Sequence, residues 1–368
     1  MNIYIDNRIV LTLDAGGTNF VFSAIQSGKP ISEKIRMDSH ADNLKDCIQT
    51  IIDGFKAVIS EIDRNPVAIS FAFPGPADYR NGIIGDLGNL PAFRGGVPLK
   101  AILEEAFDLP VFINNDGDLY AYGEALGGVL PEINDKLEAA GSNKRYHNLV
   151  GLTLGTGFGG GIVRNEELFI GDNSIAAEVW LFSNRHKPTV NAEDVVSTRS
   201  VQRVYAEKAD VYYPNELMPK DIFDIAKGTK EGNQQAAIIA YQETGRALGD
   251  VIANLFTFID GIVVIGGGIA GAKDLYMPSV MDEIRSNFDV SQTIKQPRLV
   301  QQIFNLDEEK ECLDFYKDYS KEIQVPGTSR TVSYDPFPRL AIATSRIGGS
   351  EAISLGAYAF ALNNIGGQ

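Results

Sequence analysis

Residues 14–19 read DAGGTN, an acid set directly against two glycines and a threonine at the end of an apolar run, and glycines so placed could form a phosphate site. Glycine permits positive φ and lets backbone N–H groups approach an anion closely. The same reading applies to GTGFGGG at 155–161 and GGGIAG at 266–271. Each alone also suits a structural turn, because an acid followed by glycine is a common hairpin signal. Three such turns at the ends of apolar strands, two of them with threonine, point instead to a pair of phosphate loops and a nucleotide contact. None carries the lysine of GxxxxGK[ST], and the third lacks a clear acidic residue on a following strand, so neither a P-loop nor a dinucleotide fold is expected.

The stretch VFINNDGDLYAYGEAL sets Asn115 and Asp116 just past a strand and at the start of a helix, with Asp118 close behind. Either residue suits a helix N-cap. The strand before them is apolar enough to be central, and open α/β sheets hold ligands at such strand ends. A carboxylate there can orient a sugar hydroxyl and take its proton as the oxygen attacks phosphorus.

The elements that must position these groups follow from periodicity. Strands are expected near 8–14, 19–25, 31–36, 66–73, 82–84 and 109–114, with helices over 42–62, 98–107 and onward from Asp116 to the glycine pair of EALGG. Residues 131–148, PEINDKLEAAGSNKRYHN, are polar and charged, and a solvated connection is expected there. HNLVGLTLGTGFGGGIV then repeats the opening order of strand, Gly-Thr turn and strand, which predicts an internally duplicated α/β fold. A helix over 234–258 leads into the strand GIVVIGGG, and a last helix begins near Glu351. Residues 296–338 read as an inserted excursion. The expected domains are therefore 1–128, with a C-terminal helix at 351–368 packed back on it, and 129–350.

Composition narrows the class. The 368 residues are 44% hydrophobic with a formal net charge of -15, which disfavours nucleic acid and anionic membrane surfaces as partners. Two cysteines, Cys47 and Cys312, are too few for a disulfide framework. The N-terminus MNIYIDNRIV lacks the basic and apolar segments of an export signal, and no apolar run reaches the ~18 residues of a membrane span. A cytoplasmic protein is expected.

In order and spacing, DAGGTN, FPGPAD with GNLPAF, LPVFINNDGDLYAYGE, LTLGTGFGGGIV, GDNSIAAE, AEDVVSTRS, VVIGGGIA and GGSEAISLGAYAFAL resemble the ROK family of sugar kinases, within the actin-like ATPase superfamily. The resemblance implies two ribonuclease H-like domains with an interdomain cleft, ATP and Mg²⁺ as cofactors, and phosphoryl transfer to a hexose, usually at O6. It places Asp14 near Mg²⁺ through water, with Gly16, Gly17 and Thr18 on the first phosphate loop. Gly155, Thr156 and Gly157 form the second loop, while Gly266, Gly267 and Gly268 approach the adenosine. Asp116 matches the catalytic base, and Asn89, Asn115, Asp116, Glu178 and Glu193 match sugar-binding positions.

The chain departs from the family at one place. Where Glu-x-Gly-His is usual it reads Glu178, Val179, Trp180, Leu181, and the cysteine cluster that binds zinc is replaced by FSNRHKPTVNAED. No zinc is expected, because His186 alone cannot build a tetrahedral site, and His186 reads as a surface residue. Trp180 is expected to pack near the sugar's O1 and O2 side. The expected activity is ATP-dependent phosphorylation of glucose at its 6-hydroxyl. A kinase for fructose, mannose, allose or an N-acetylhexosamine is the alternative within the class, and a non-catalytic sugar sensor the alternative outside it. A repressor is disfavoured, since the first phosphate loop begins about a dozen residues in and leaves no room for a DNA-binding domain. A homodimer is expected.

Overall fold

The computed structural model describes residues 2–365 apart from 215 and 292. Its chain divides into two compact units, Met1–Gly128 with Gly161–Ala177 and Ile347–Gln368, and Val129–Gly160 with Glu178–Arg346. The segment 161–177 thus belongs with the first unit.

In the first unit, the continuously buried run Ile9–Ala15 and the alternating strand Asn19–Gln26 form an antiparallel hairpin with Asp14 opposite Val21. Its first strand also pairs in parallel with Ala68–Ala72, which pairs in parallel with Val111–Asn114. Parallel pairing decides the function. It brings the C-terminal ends of three strands to one edge of the sheet, so Asp14, the loop after Ala72 and the Asn115–Asp116 pair emerge side by side. In place of the expected strand at 31–36 there are two short ones to either side, Lys29–Pro30 and Ile35–Asp38, and both pair with Asn19–Gln26.

The helix Leu44–Glu61 starts where Asn43 caps the N–H groups of Lys45 and Asp46. Its apolar stripe, including Ile51 and Phe55, covers the sheet. Phe22 meets Phe55 edge-on at 5.2 Å, and each such burial stabilises the unit by roughly 2–3 kcal/mol. The helix Gly349–Ile365 packs on the helix Asp116–Leu126. Residues 366–368 of the expected C-terminal helix lie outside the described residues.

The second unit repeats this plan. Asn148–Leu154 pairs in parallel with Ile262–Gly266, which pairs in parallel with Arg339–Thr344. Two expectations need correction. The stretch 131–148 is not simply a solvated connection: Val129–Ala139 is a helix with Val129, Leu130, Ile133 and Leu137 buried, an amphipathic pattern masked by the intervening charges. Nor is 296–338 wholly an excursion. Gln302–Asn305 pairs in parallel with Arg339–Thr344 inside the main sheet, because its residues Ile303 and Phe304 are apolar and buried. The hairpin of Lys321–Gln324 and Thr331–Tyr334 is exposed along its length.

At the C-terminal edge of this second sheet, the Asp307 carboxylate accepts from Arg346 Nη1 at 2.7 Å and Thr344 Oγ1 at 3.0 Å, and pairs with Lys273 Nζ at 3.0 Å. Burial pushes the Asp307 carboxyl upward, but hydrogen bonds and charge from Lys273 and Arg346 outweigh it and hold the group below its usual range. The stability this contributes is complete above the ordinary carboxylate pKa of about 4 and is lost as pH falls through the lowered value. Both cations are part-exposed and screened, so Asp307→Asn is expected to cost about 2 kcal/mol at pH 7. Thermal melts should show the gap to wild type closing below about pH 4. An equal gap at both pH values would sink this account.

Candidate active site

The first unit holds a cavity of about 390 Å³ walled by Asp14, Asn89, Asn115 and Asp116, together with Gly75 and Ser350. Four acids and amides singled out in the sequence therefore face one space. Asn115 caps the helix Asp116–Leu126, its Oδ1 accepting the Gly117 N–H at 2.8 Å. Asp116 Oδ1 accepts the same N–H at 2.8 Å. The N-cap reading of Asn115 holds, and both residues of the pair line the cavity. The cap fixes both side chains, and Asp116 stays exposed to the cavity. Asn115 Nδ2 lies 3.4 Å from the buried Tyr79 hydroxyl, which itself donates to the Phe73 carbonyl.

The loop of Gly16, Gly17 and Thr18 closes the hairpin, with Gly16 N–H donating to Asn19 O at 3.0 Å. Ser39 reinforces it, donating Oγ to Gly17 O at 2.7 Å and N–H to Thr18 O at 3.0 Å. A β-carbon on Gly17 would stand 3.0 Å from the Asn89 carbonyl, so that glycine lets the loop lie against GNLP. Among the described residues, the N–H groups of Gly17 and Thr18 find no protein acceptor, the state a phosphate loop needs.

The second unit carries the other loops. Gly155 N–H donates to Gly157 O at 2.9 Å, a tight turn that leaves Thr156 exposed. Gly267 has φ of +89°, and its α-carbon lies so close to Leu154 that no side chain fits. Ile269 N–H adds a bond to Leu154 O at 3.0 Å. The third loop is thereby bound to the strand that feeds the second. Gly266 ends its strand buried, while Gly268 has nothing within 4 Å of where a β-carbon would stand.

Glu178 is exposed at the head of a short 3₁₀ turn, where the Trp180 indole N–H donates to its Oε2. Leu181, standing where the family has histidine, is 58% exposed and offers no polar group. Glu193 is half-buried and bonded within the unit: Oε2 accepts the Phe158 N–H at 3.1 Å and Oε1 accepts from Arg199 at 2.9 Å.

His186 is exposed, as expected of a surface residue, and it is also engaged in an ion-pair network. Its Nε2 lies 3.0 Å from Glu283 Oε2, and Glu283 also pairs with Arg185 at 2.6 Å and with Arg298. Arg298 further pairs with Asp250. Asp250, Glu283 and Arg298 are all buried, and buried charges persist only when paired in this way. Ionic pairs thus anchor the 184–187 loop. Among the described residues no three His, Cys, Asp or Glu side chains converge to hold a metal.

Sequence reasoning missed Ser350 and Ser354, which line the same cavity as Asp116. The signal was present in GGSEAIS, where two serines four apart share one helix face. No helix among the described residues is long and apolar enough to cross a membrane.

The ROK family model matches residues 10–302 of this chain. A crystal structure of a glucokinase from Parabacteroides distasonis ATCC 8503 matches it with a TM-score of 0.91 and 50% identity, over 99% of each chain. A glucokinase of Thermotoga maritima is 25% identical over 292 residues, 75% of this chain and 86% of the relative. An N-acetyl-D-glucosamine kinase of Vibrio parahaemolyticus is 28% identical over 281 residues, 72% of this chain and 85% of the relative. The chain belongs to the ROK family, with the actin-like ATPase fold, and is a sugar kinase.

Proposed function

We propose that the protein transfers the γ-phosphoryl group of ATP to the 6-hydroxyl of glucose. The observation that carries this reading is the single cavity that gathers Asp14, Asn89, Asn115 and Asp116. Asn115 and Asn89 orient the hexose by hydrogen bonds. Asp116, held by the Gly117 N–H, takes the proton of the attacking hydroxyl. Unpartnered backbone N–H groups of the glycine loops hold the phosphates, and Glu178 adds a hydrogen bond to the sugar. The 50% identity to a glucokinase supports glucose over other hexoses.

Mg²⁺ fits the residues present. Asp14 exposes its carboxylate to the cavity, and Mg²⁺ keeps several waters while using one or two protein carboxylates. When bound there, it would neutralise charge on the phosphates. The reading also assigns two ribonuclease H-like domains, divided near 128 with the segment 161–177 and the last helix on the first, a cytoplasmic location and a homodimer.

Selectivity tests the proposal. With Leu181 in the histidine's place, no donor from that position reads O1 and O2, and a site lacking such a bond cannot strongly reject analogues there. A coupled assay of ADP release is therefore expected to show turnover of glucose, mannose and 2-deoxyglucose within about a hundredfold in kcat/KM, and refusal of galactose. N-acetylglucosamine ahead of glucose would make this an amino-sugar kinase. Nucleotide binding with no hexose turned over would make it a sensor.

A further inference from the structure

We infer that Glu193 is a positioning residue for the second phosphate loop, a role beyond the sugar contact that its family match implies. Four bonds carry the inference. At the loop's exit, Glu193 Oε2 accepts the Phe158 N–H at 3.1 Å. At its entry, Thr198 donates both its N–H, at 2.8 Å, and its Oγ1, at 2.9 Å, to Gly155 O. Arg199 closes the set on Glu193 Oε1 at 2.9 Å. A six-residue stretch, EDVVST, thus grips both ends of a loop about forty residues earlier in the chain.

The grip also accounts for a glycine. A β-carbon on Gly157 would stand 2.8 Å from Glu193 Oε2, closer than carbon and oxygen tolerate. The bare α-carbon is what lets the carboxylate reach the loop. Among the described residues, the N–H groups of Thr156 and Gly157 have no protein acceptor, so the clamp holds the loop from behind and leaves its donors for phosphate. Donors of this kind act only when held to within about 0.5 Å, which is the service Glu193 and Thr198 supply.

The inference rests on the phosphate-loop reading of Gly155–Gly157, and nucleotide binding can test it apart from the choice of sugar. In the full chain, Glu193→Ala is expected to weaken binding of a non-hydrolysable ATP analogue at least tenfold by calorimetry and to lower kcat. Glu193→Gln keeps an oxygen for the Phe158 N–H and should recover most of the nucleotide affinity. Gly157→Ala should mimic the loss in wild type yet cost little in the Glu193→Ala background, where the clashing carboxylate is gone. A tenfold rise in hexose KM with nucleotide affinity unchanged would overturn the inference, as would additive effects in the double variant. Should Glu193→Ala fail to fold, Thr198→Val, which removes only the hydroxyl bond, is expected to weaken nucleotide binding severalfold, and unchanged binding there overturns the clamp. Wild-type protein that binds nucleotide but turns over no hexose would count against the hexokinase reading alone.

Discussion

Asp116→Asn is expected to lower kcat about a thousandfold while hexose affinity stays within about tenfold. The reason is local. Asp116 is the first residue of its helix, exposed to the cavity, with Oδ1 already bonded to the Gly117 N–H at 2.8 Å. Asparagine keeps the shape and can keep that bond through its own oxygen. It cannot take the hydroxyl proton. Binding and chemistry should therefore separate, with KM nearly constant and kcat falling. Single-turnover measurements on the variant isolate the chemical step. Retention of most of the wild-type kcat would show that another group is the base.

Gly356→Ala is expected to cost the first unit about 4 kcal/mol, seen as a drop of roughly 10 °C in its thermal transition. The helices Asp116–Leu126 and Gly349–Ile365 approach so closely that a β-carbon on Gly356 would collide with the Leu119 carbonyl, and one on Gly123 with the Ala352 carbonyl. Backbone offers no flexible side chain to move aside, so the helices must separate. Because the first of them begins with Asp116 and the second carries Ser350 and Ser354 into the same cavity, kcat should fall with stability. Gly271→Ala is the control, since nothing lies within 4 Å of its β-carbon position. Equal stability of the two variants would refute the close-packing account.

Much of the site was legible because its chemistry is local. A β-carbon on Gly16 would meet Asn19 O of the same hairpin at 2.9 Å, and Asn115 and Asp116 sit where a strand pattern meets a helical one. Those signals span only a few residues, so the amino-acid sequence alone located the glycine turns, the Asn115–Asp116 pair and the α/β class. Elsewhere local signals misled. The charges of 131–148 hid the buried stripe of Val129, Leu130, Ile133 and Leu137, and a turn-rich neighbourhood hid the strand Gln302–Asn305.

Tertiary structure decided which distant groups meet. Three parallel strands bring Asp14 and Asp116 to one cavity, though about a hundred residues separate them. The partner of His186 is Glu283, and the partner of Glu193 is a backbone N–H on a strand met 35 residues earlier. No periodicity encodes such pairs, because each depends on where the chain returns after packing its apolar faces. The residue types and their spacing thus determined the chemistry available to this protein. Packing decided that Glu193 grips a loop, that His186 joins an ion-pair network, and that two serines of the last helix line the cavity of the base.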